Sequence, residues 1–324
     1  MSQERKPIQI SSIKELQKIG NNRAYPLDGE YELTQDIDAT ETENWNDGAG
    51  FIPIGTDENP FTGKFDGKGY KIINLYIRKT KNYIGLFSYT RQCEIMNILL
   101  ENVKIFGSWY VGGLMGYNEK GMVSGCCITG SVSGNKRVGG LLGENSGTVT
   151  LCYSTCLVSG HEKVGGLVGE NGGTLSNCYS TGSVSGNEYV GGLVGELYSG
   201  TVSNCYSTGT VSGDEYVGGL VGSDYRGTVN SCYSTGSVTG NNRIGGLLGY
   251  NLRGSLKDCY STGSVSGQSE VGGLIAYSLE GTIKNCYSSC LITGREKVGG
   301  LFADKKQAKV SNCYFYGTSH NKNE

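Results

Sequence analysis

The sequence predicts an all-β protein, a parallel β-solenoid of triangular cross-section capped at its N-terminus by a small α/β segment. Two observations carry the prediction. A unit of 26 or 27 residues recurs about nine times between residues 83 and 316. Each unit is rich in Val, Thr, Tyr and Ser, is broken by Gly, and shows no run of helical periodicity.

The pair Gly-Gly begins at 112, 139, 165, 191, 218, 245, 272 and 299, in steps of 26 or 27 residues. A representative copy reads Val190-Gly191-Gly192-Leu193-Val194-Gly195, a variable turn, then Gly200-Thr201-Val202-Ser203-Asn204-Cys205-Tyr206-Ser207-Thr208-Gly209-Thr210-Val211-Ser212-Gly213. A degenerate copy starts at Ile84-Gly85-Leu86-Phe87 and ends at Gly107. The shorter copies lose a residue in the turn after Gly-Leu-Val-Gly, as Glu144-Asn145-Ser146 shows against Glu196-Leu197-Tyr198-Ser199. Length therefore varies in a loop and not in the strands, as stacking demands.

One unit cannot bury its apolar stretches alone, whereas copies stacked in register share a core. Three segments are expected per coil, 189–195, 201–207 and 210–212. Val202 and Cys205 both face inward only if the chain bends at Ser203-Asn204. Asn recurs at that corner as Asn177, Asn204, Asn285 and Asn312, in keeping with its tolerance of left-handed backbone. Nine coils at about 4.8 Å each make a rod of roughly 43 Å.

Residues 1–82 differ. Ser12-Ile13-Lys14-Glu15 forms a capping-box pattern, Ile13, Leu16 and Ile19 line one face, and Gly20 ends a short helix. Strand-like pieces follow at Tyr31-Glu32-Leu33, Phe51-Ile52-Pro53-Ile54, Lys64-Phe65 and Tyr70-Lys71-Ile72-Ile73. This segment is expected to cover the open end of the solenoid. Residues 317–324 read as a polar tail expected to fray.

Composition excludes several classes. With 54 Gly but only 4 Pro the chain is not collagen, and 37% apolar residues argue against disorder. A net charge of −2, without a basic block, points away from nucleic acid and from anionic membrane surfaces. No apolar run is long enough for direct membrane insertion, and Met1-Ser2-Gln3-Glu4-Arg5-Lys6-Pro7 leads into no secretion-signal core.

Val-Gly-Gly-Leu-Val-Gly followed by Gly-Thr-Val-Ser-Asn-Cys-Tyr-Ser-Thr-Gly closely resembles the GLUG-motif repeat, over residues 83–316. Asp36-Ile37-Asp38, Pro53-Ile54-Gly55 and Phe61-Thr62-Gly63-Lys64-Phe65-Asp66-Gly67 resemble the lead-in that often precedes such repeats. That repeat occurs in bacterial and archaeal surface proteins, including non-catalytic parts of immunoglobulin-A-cleaving metallopeptidases. The resemblance implies a non-enzymatic, cell-surface or extracellular β-helix for adhesion or spacing; the missing secretion-signal core makes a cytoplasmic location the alternative. It supplies no catalytic residue.

Eight of the twelve cysteines share one column: Cys126, Cys152, Cys178, Cys205, Cys232, Cys259, Cys286 and Cys313. Leu99 fills that slot in the degenerate copy, so the column reads as an inward ladder of small hydrophobes. Zinc needs four ligands converging at one point, usually supplied as Cys-x-x-Cys pairs, and the sequence has no such pair. A disulfide chain along the column needs a torsion that in-register parallel side chains seldom reach.

The next column is Tyr153, Tyr179, Tyr206, Tyr233, Tyr260, Tyr287 and Tyr314. Lying beside an inward Cys it should face outward, as an exposed stripe for a surface glycan or a protein partner. The plainer reading is that stacked rings only brace the sheet. Thr155, Thr181, Thr208, Thr235 and Thr262 form a neighbouring hydroxyl file, read as single and hence a poor ice-binding array.

Enzyme chemistry finds little footing. His161 sits in a variable turn and His320 near the end, and Gly165 stands where a zincin helix would need its second His. The charges of Lys136-Arg137, His161-Glu162-Lys163, Asp214-Glu215 and Arg295-Glu296-Lys297 are expected to be solvated corners. The acidic segment 36–47 is a candidate calcium site without a regular ligand spacing. The leading function is a scaffold that binds or spaces through a stacked face; a glycan-active enzyme and a self-associating rod are the alternatives.

Overall fold

The computed structural model describes residues 6–321 as a parallel β-solenoid. One coil lays down five short strands: Glu188–Gly191, Val194–Tyr198, Thr201–Ser203, Tyr206–Ser207 and Val211–Ser212. Strands of successive coils are parallel and in register, so Val202 lies between Leu175 and Val229, and Tyr206 between Tyr179 and Tyr233. Like residues therefore stand over like residues.

The strands form four ladders where three sides were expected. The first holds Glu188–Gly191 among eight strands, the second Val194–Tyr198 among nine, and the third Thr201–Ser203 among twelve. The last two strands of each coil make the fourth ladder. The expected segment 189–195 is split at Gly191-Gly192. Neither glycine has a positive φ. A methyl on Gly191 would run into the Val194 carbonyl oxygen, and one on Gly192 into Gly219 O and Ser207 Oγ. Close approach, and not backbone freedom, requires glycine there.

The corners use left-handed residues that are not glycine. Tyr189 has φ 54°, Ser199 φ 55° and Asn204 φ 52°. The bend at Asn204 brings Val202 and Cys205 both fully inside. The extra residue of the longer copies is the left-handed one at Ser199, Arg226, Arg253 and Glu280. The turns Asn145-Ser146-Gly147 and Asn171-Gly172-Gly173 do without it and keep the strands in register.

The core is one continuous cluster of Val, Leu, Ile and Cys files, with a polar file among them that the sequence did not reveal. Asn118 donates to Asn145 Oδ1 at 2.8 Å, and Asn145 to Asn171 Oδ1 at 2.7 Å, all three fully buried. Their carbonyl oxygens also cap the turn: Gly121 N donates to Asn118 Oδ1 and Gly147 N to Asn145 Oδ1, both at 3.1 Å. Leu197, Asp224, Asn251 and Ser278 continue the file.

Ile8–Ile10, Glu30–Leu33 and Lys64–Asp66 are the first three members of the twelve-stranded ladder. The coil number is thus about twelve, against nine read from the repeat, and the rod is roughly 58 Å long at the inter-strand spacing. These coils escaped notice because they are not copies of the unit. Their core is aromatic, with Phe61 5.0 Å and Phe65 5.7 Å from Phe87 between ring centres. The helix is a single turn, Ile13–Leu16, shorter than expected. Ser12 caps Glu15 N, but Glu15 takes Ser11 N at 2.8 Å in place of the Ser12 amide. At the other end Thr318–Asn321 pairs with Leu291–Gly294, so the residues expected to fray extend the last coil, while 322–324 lie outside the described residues.

Candidate ligand-binding face

The fourth ladder is where the sequence-predicted columns meet. Its strands alternate, so in one coil Ser180, Gly182 and Val184 point inward while Tyr179, Thr181, Ser183 and Ser185 point out. The coils on either side repeat the pattern, giving four outward columns. The first is the tyrosine column. The second is the Thr155, Thr181, Thr208, Thr235 and Thr262 file. The third runs Leu157, Ser183, Thr210, Ser237, Ser264, Leu291, and the fourth Ser159, Ser185, Ser212, Thr239, Ser266, Thr293. The threonine file is therefore not single, as expected from sequence, but one of three hydroxyl-bearing columns. The signal was the Ser-Val-Ser spacing, legible once its Val is known to face inward.

Tyrosine rings in the column stack face to face. Tyr153–Tyr179 and Tyr179–Tyr206 have centroids 4.8 Å apart at an interplanar angle of 2°, and Tyr260–Tyr287 are 5.0 Å apart at 6°. The near-zero angles mean that the face hardly twists along the rod. Stacking also hides the ring faces, so Tyr153, Tyr179, Tyr206, Tyr233 and Tyr260 are half-buried and present edges. The exposed stripe expected from sequence is found only at Tyr287 and Tyr314, which are 38% and 54% exposed. Hydroxyls bond along the columns, Thr210 to Ser183 Oγ and Ser264 to Ser237 Oγ, each at 2.9 Å.

The face carries no charge: residues 153–159, 179–185, 206–212, 233–239, 260–266 and 287–293 contain no Asp, Glu, Lys, Arg or His. Within its third and fourth columns, Leu157, Ser159, Ser183 and Ser185 line a shallow recess of about 410 Å³ together with Phe106.

Behind the tyrosines, Cys126, Cys152, Cys178, Cys205, Cys232, Cys259 and Cys286 are buried thiols, and Cys313 is half-buried. Cys205 Sγ accepts Cys178 N at 3.4 Å and donates to Ser203 O at 3.1 Å. No disulfide links them. Outside the column, burial pushes the thiols of Cys93 and Cys156 up, to about 11 and about 12.

Charge is gathered elsewhere, between the first and second ladders. Arg137 Nε lies 2.7 Å from Glu170 and 3.0 Å from Glu144, Lys163 Nζ lies 2.6 Å from Glu170, and Lys163 also meets Glu196. Expected as solvated corners, Arg137 and Lys163 are instead mostly buried in this network. Burial and the nearby Glu170 carboxylate push Glu144 up to about 7. Glu170 suffers the same burial, but Lys163 and Arg137 outweigh it and hold its pKa down. Arg243 bonds Glu270 at 2.8 Å and lies over the Tyr216 ring at 4.9 Å. These pairings read as structural.

The acidic segment 36–47 does not converge. Asp36 accepts Lys71 N at 2.9 Å, Asp38 accepts Thr40 N at 2.9 Å, and Glu41 and Glu43 reach Lys14 and Lys104. Among the described residues no group of three His, Cys, Asp or Glu is placed to hold a metal ion. His161 is exposed and far from a second imidazole in sequence.

Three stretches, residues 160–185, 186–212 and 240–266, match the family model described as the GLUG motif. These coils are GLUG repeats. Over 150 residues the chain is 39% identical to Halomucin of Haloquadratum walsbyi, a match covering 45% of this chain and 2% of that protein. Over 110 residues it is 37% identical to an Evansella cellulosilytica protein named as a Gly-rich membrane protein, 31% of this chain and 12% of the relative. The chain thus spans a small part of either relative. A crystal structure of a Bacteroides ovatus protein assigned as an immunoglobulin A1 protease superposes with a TM-score of 0.50 at 19% identity, over 79% of this chain and 75% of the other. That likeness shows the fold. Among the described residues no helix is long and apolar enough to cross a membrane.

Proposed function

We propose that this GLUG-repeat chain is a non-enzymatic scaffold of a cell-surface or extracellular protein, and that its uncharged Tyr/Thr/Ser face docks a surface glycan. One observation carries the reading: six consecutive coils keep an outward strip four columns wide free of charge, while the ionic groups are confined to other sides. Charged side chains would impose a desolvation cost on a neutral ligand. Ordered hydroxyls offer donors and acceptors at the coil spacing, and tyrosine edges add apolar area at little entropic cost. The naming of relatives as Halomucin and as a membrane protein supports a surface setting. A protein partner or self-association through the same face is the competing use. Ice binding is weakened by Leu157 and Leu291 interrupting the third column and by serine standing where threonine methyls would be needed.

The test places two cations on the face, Thr208→Arg with Thr235→Arg, both sites being exposed. Adhesion to glycan arrays and to whole cells should be lost while the melting temperature stays within a few degrees. Unchanged adhesion by the folded variant would overturn the reading. Loss of concentration-dependent self-association in its place would assign the face to a second copy.

A further inference from the structure

The tyrosine stack ends at Tyr287, and the way it ends makes a cleft. Six rings from Tyr153 to Tyr287 cover one another in turn, and at the far end of that run Cys127 pairs in register with Tyr153. Tyr314 occupies the next position of the column and pairs with Tyr287 along the backbone, yet its ring does not stack on it. It leans on Tyr316, at 6.2 Å and 28°, and Tyr316 sits edge-on to Tyr287 at 6.5 Å and 68°. Tyr316 stands in the column that holds threonine in earlier coils, so a third ring has been added where the stack opens. Inside the coil, Phe315 replaces the buried serine and takes the space beside Gly300.

The opening is about 430 Å³, walled by the three rings and floored by Asn285, Cys286 and Asn312. The amides are held in place: Asn312 donates to Asn285 Oδ1 at 3.2 Å and Asn285 donates to Asp258 at 2.8 Å. No charged side chain lines it. The volume falls within the ~300–1,000 Å³ of small-molecule sites. Aromatic rings, fixed neutral amides and absent charge select a ligand with an apolar face and a rim of hydroxyls. That is the chemistry of a pyranose ring.

We infer that this cleft binds a neutral sugar unit, with the ring packed against the tyrosine faces and its hydroxyls bonded to Asn285 and Asn312. The inference rests on the glycan reading of the long face, of which it is a local subsite; of the cleft lining, only Tyr287 belongs to the six-coil charge-free strip. Phosphorylated or sulfated sugars are disfavoured because the lining offers no cation.

The experiment titrates the full chain with neutral oligosaccharides of glucose, galactose and N-acetylglucosamine, followed by tyrosine chemical shifts and by calorimetry. Binding of one of these should shift Tyr287, Tyr314 and Tyr316. The change Tyr314→Ser with Tyr316→Ser should weaken it by about tenfold or more, whereas Tyr314→Phe with Tyr316→Phe should retain affinity within about threefold. The pair is well exposed, Tyr316 at 72%, and unfolding curves of each variant verify the fold. The Thr208→Arg, Thr235→Arg variant should keep this binding even when it no longer adheres. Absence of any sugar binding up to millimolar concentrations overturns the cleft while leaving the long face standing. Equal loss in the Ser and Phe variants, or shifts confined to other coils, also overturns it. Shifts with an aromatic peptide but with no sugar would reassign the cleft to a protein partner and count against the inference.

Discussion

Asp224 pairs in register with Asn251, at a point of the interior file where other coils hold amides. Asp224 Oδ1 accepts Gly227 N at 2.7 Å, doing for its turn what Asn251 Oδ1 does for Gly254 at 2.9 Å. A carboxylate lacks the amide donor that Asn118 and Asn145 pass to the next coil. The apolar Leu197 lies beneath it.

Burial pushes the Asp224 carboxyl up to about 7, partly countered by the Gly227 amide. Its folded pKa is above the unfolded value near ~3.9, so its protonated form is the one the fold prefers. Stability tied to this group is complete below pH ~4 and is lost as pH rises from there through about 7. Asp224→Asn should therefore raise the urea midpoint at pH 8 and leave it nearly unchanged at pH 4. Equal effects at both pH values would show that the carboxyl is ionised without penalty.

Leu151 stands at the corner that asparagine fills in Asn177, Asn204, Asn285 and Asn312, with φ 54° and 64% exposure. A left-handed leucine costs ~1–2 kcal/mol, and asparagine less. Leu151→Asn should stabilise the rod by about 1 kcal/mol, seen as a higher midpoint at unchanged slope. Destabilisation would mean that the exposed leucine makes a contact worth more than its backbone strain.

Two glycines separate close approach from chance. Gly192→Ala drives a methyl into Gly219 O and Ser207 Oγ, while a methyl at Gly172 meets nothing nearer than Tyr198 O at 3.6 Å. The first change should cost ~3 kcal/mol or more and the second stay within ~0.5 kcal/mol of neutral. Similar losses at both would undercut the steric account of the Gly-Gly break.

Thiol labelling should follow position. Cys205 is buried and Cys313 half-buried, so native protein should react first at Cys313, with the other seven column thiols following only on unfolding. Mass spectrometry of timed digests reads the order. Simultaneous labelling of Cys205 and Cys313 would refute the sealed ladder.

The repeat made the solenoid legible, and even the corner at Asn204, because Val202 and Cys205 could share a core in no other way. The first three coils were hidden: Tyr31, Phe61 and Phe65 do the work of Val and Cys in a sequence that repeats nothing. Ser207 and Asn171 were misleading in a different sense. A hydroxyl or an amide reads as surface until its stacked neighbour, or the turn amide it caps, is known to be inside. The tyrosine column was found but its exposure was not, since rings 4.8 Å apart consume the very faces that made them candidates. Arg137 and Lys163, charged residues in turns, gave no sign that Glu144, Glu170 and Glu196 would close around them.

The strict stacking of like on like has a genetic side. Because residue i pairs with residue i+26 or i+27 throughout the copied region, a misaligned exchange between two copies, cut anywhere in the unit, rejoins strands to the same partners. The left-handed residue at Ser199 or Arg226 absorbs the one-residue difference without moving a strand. Reach then becomes a quantity that varies by whole copies, about 4.8 Å at a time, in a lineage whose individual coils need not change.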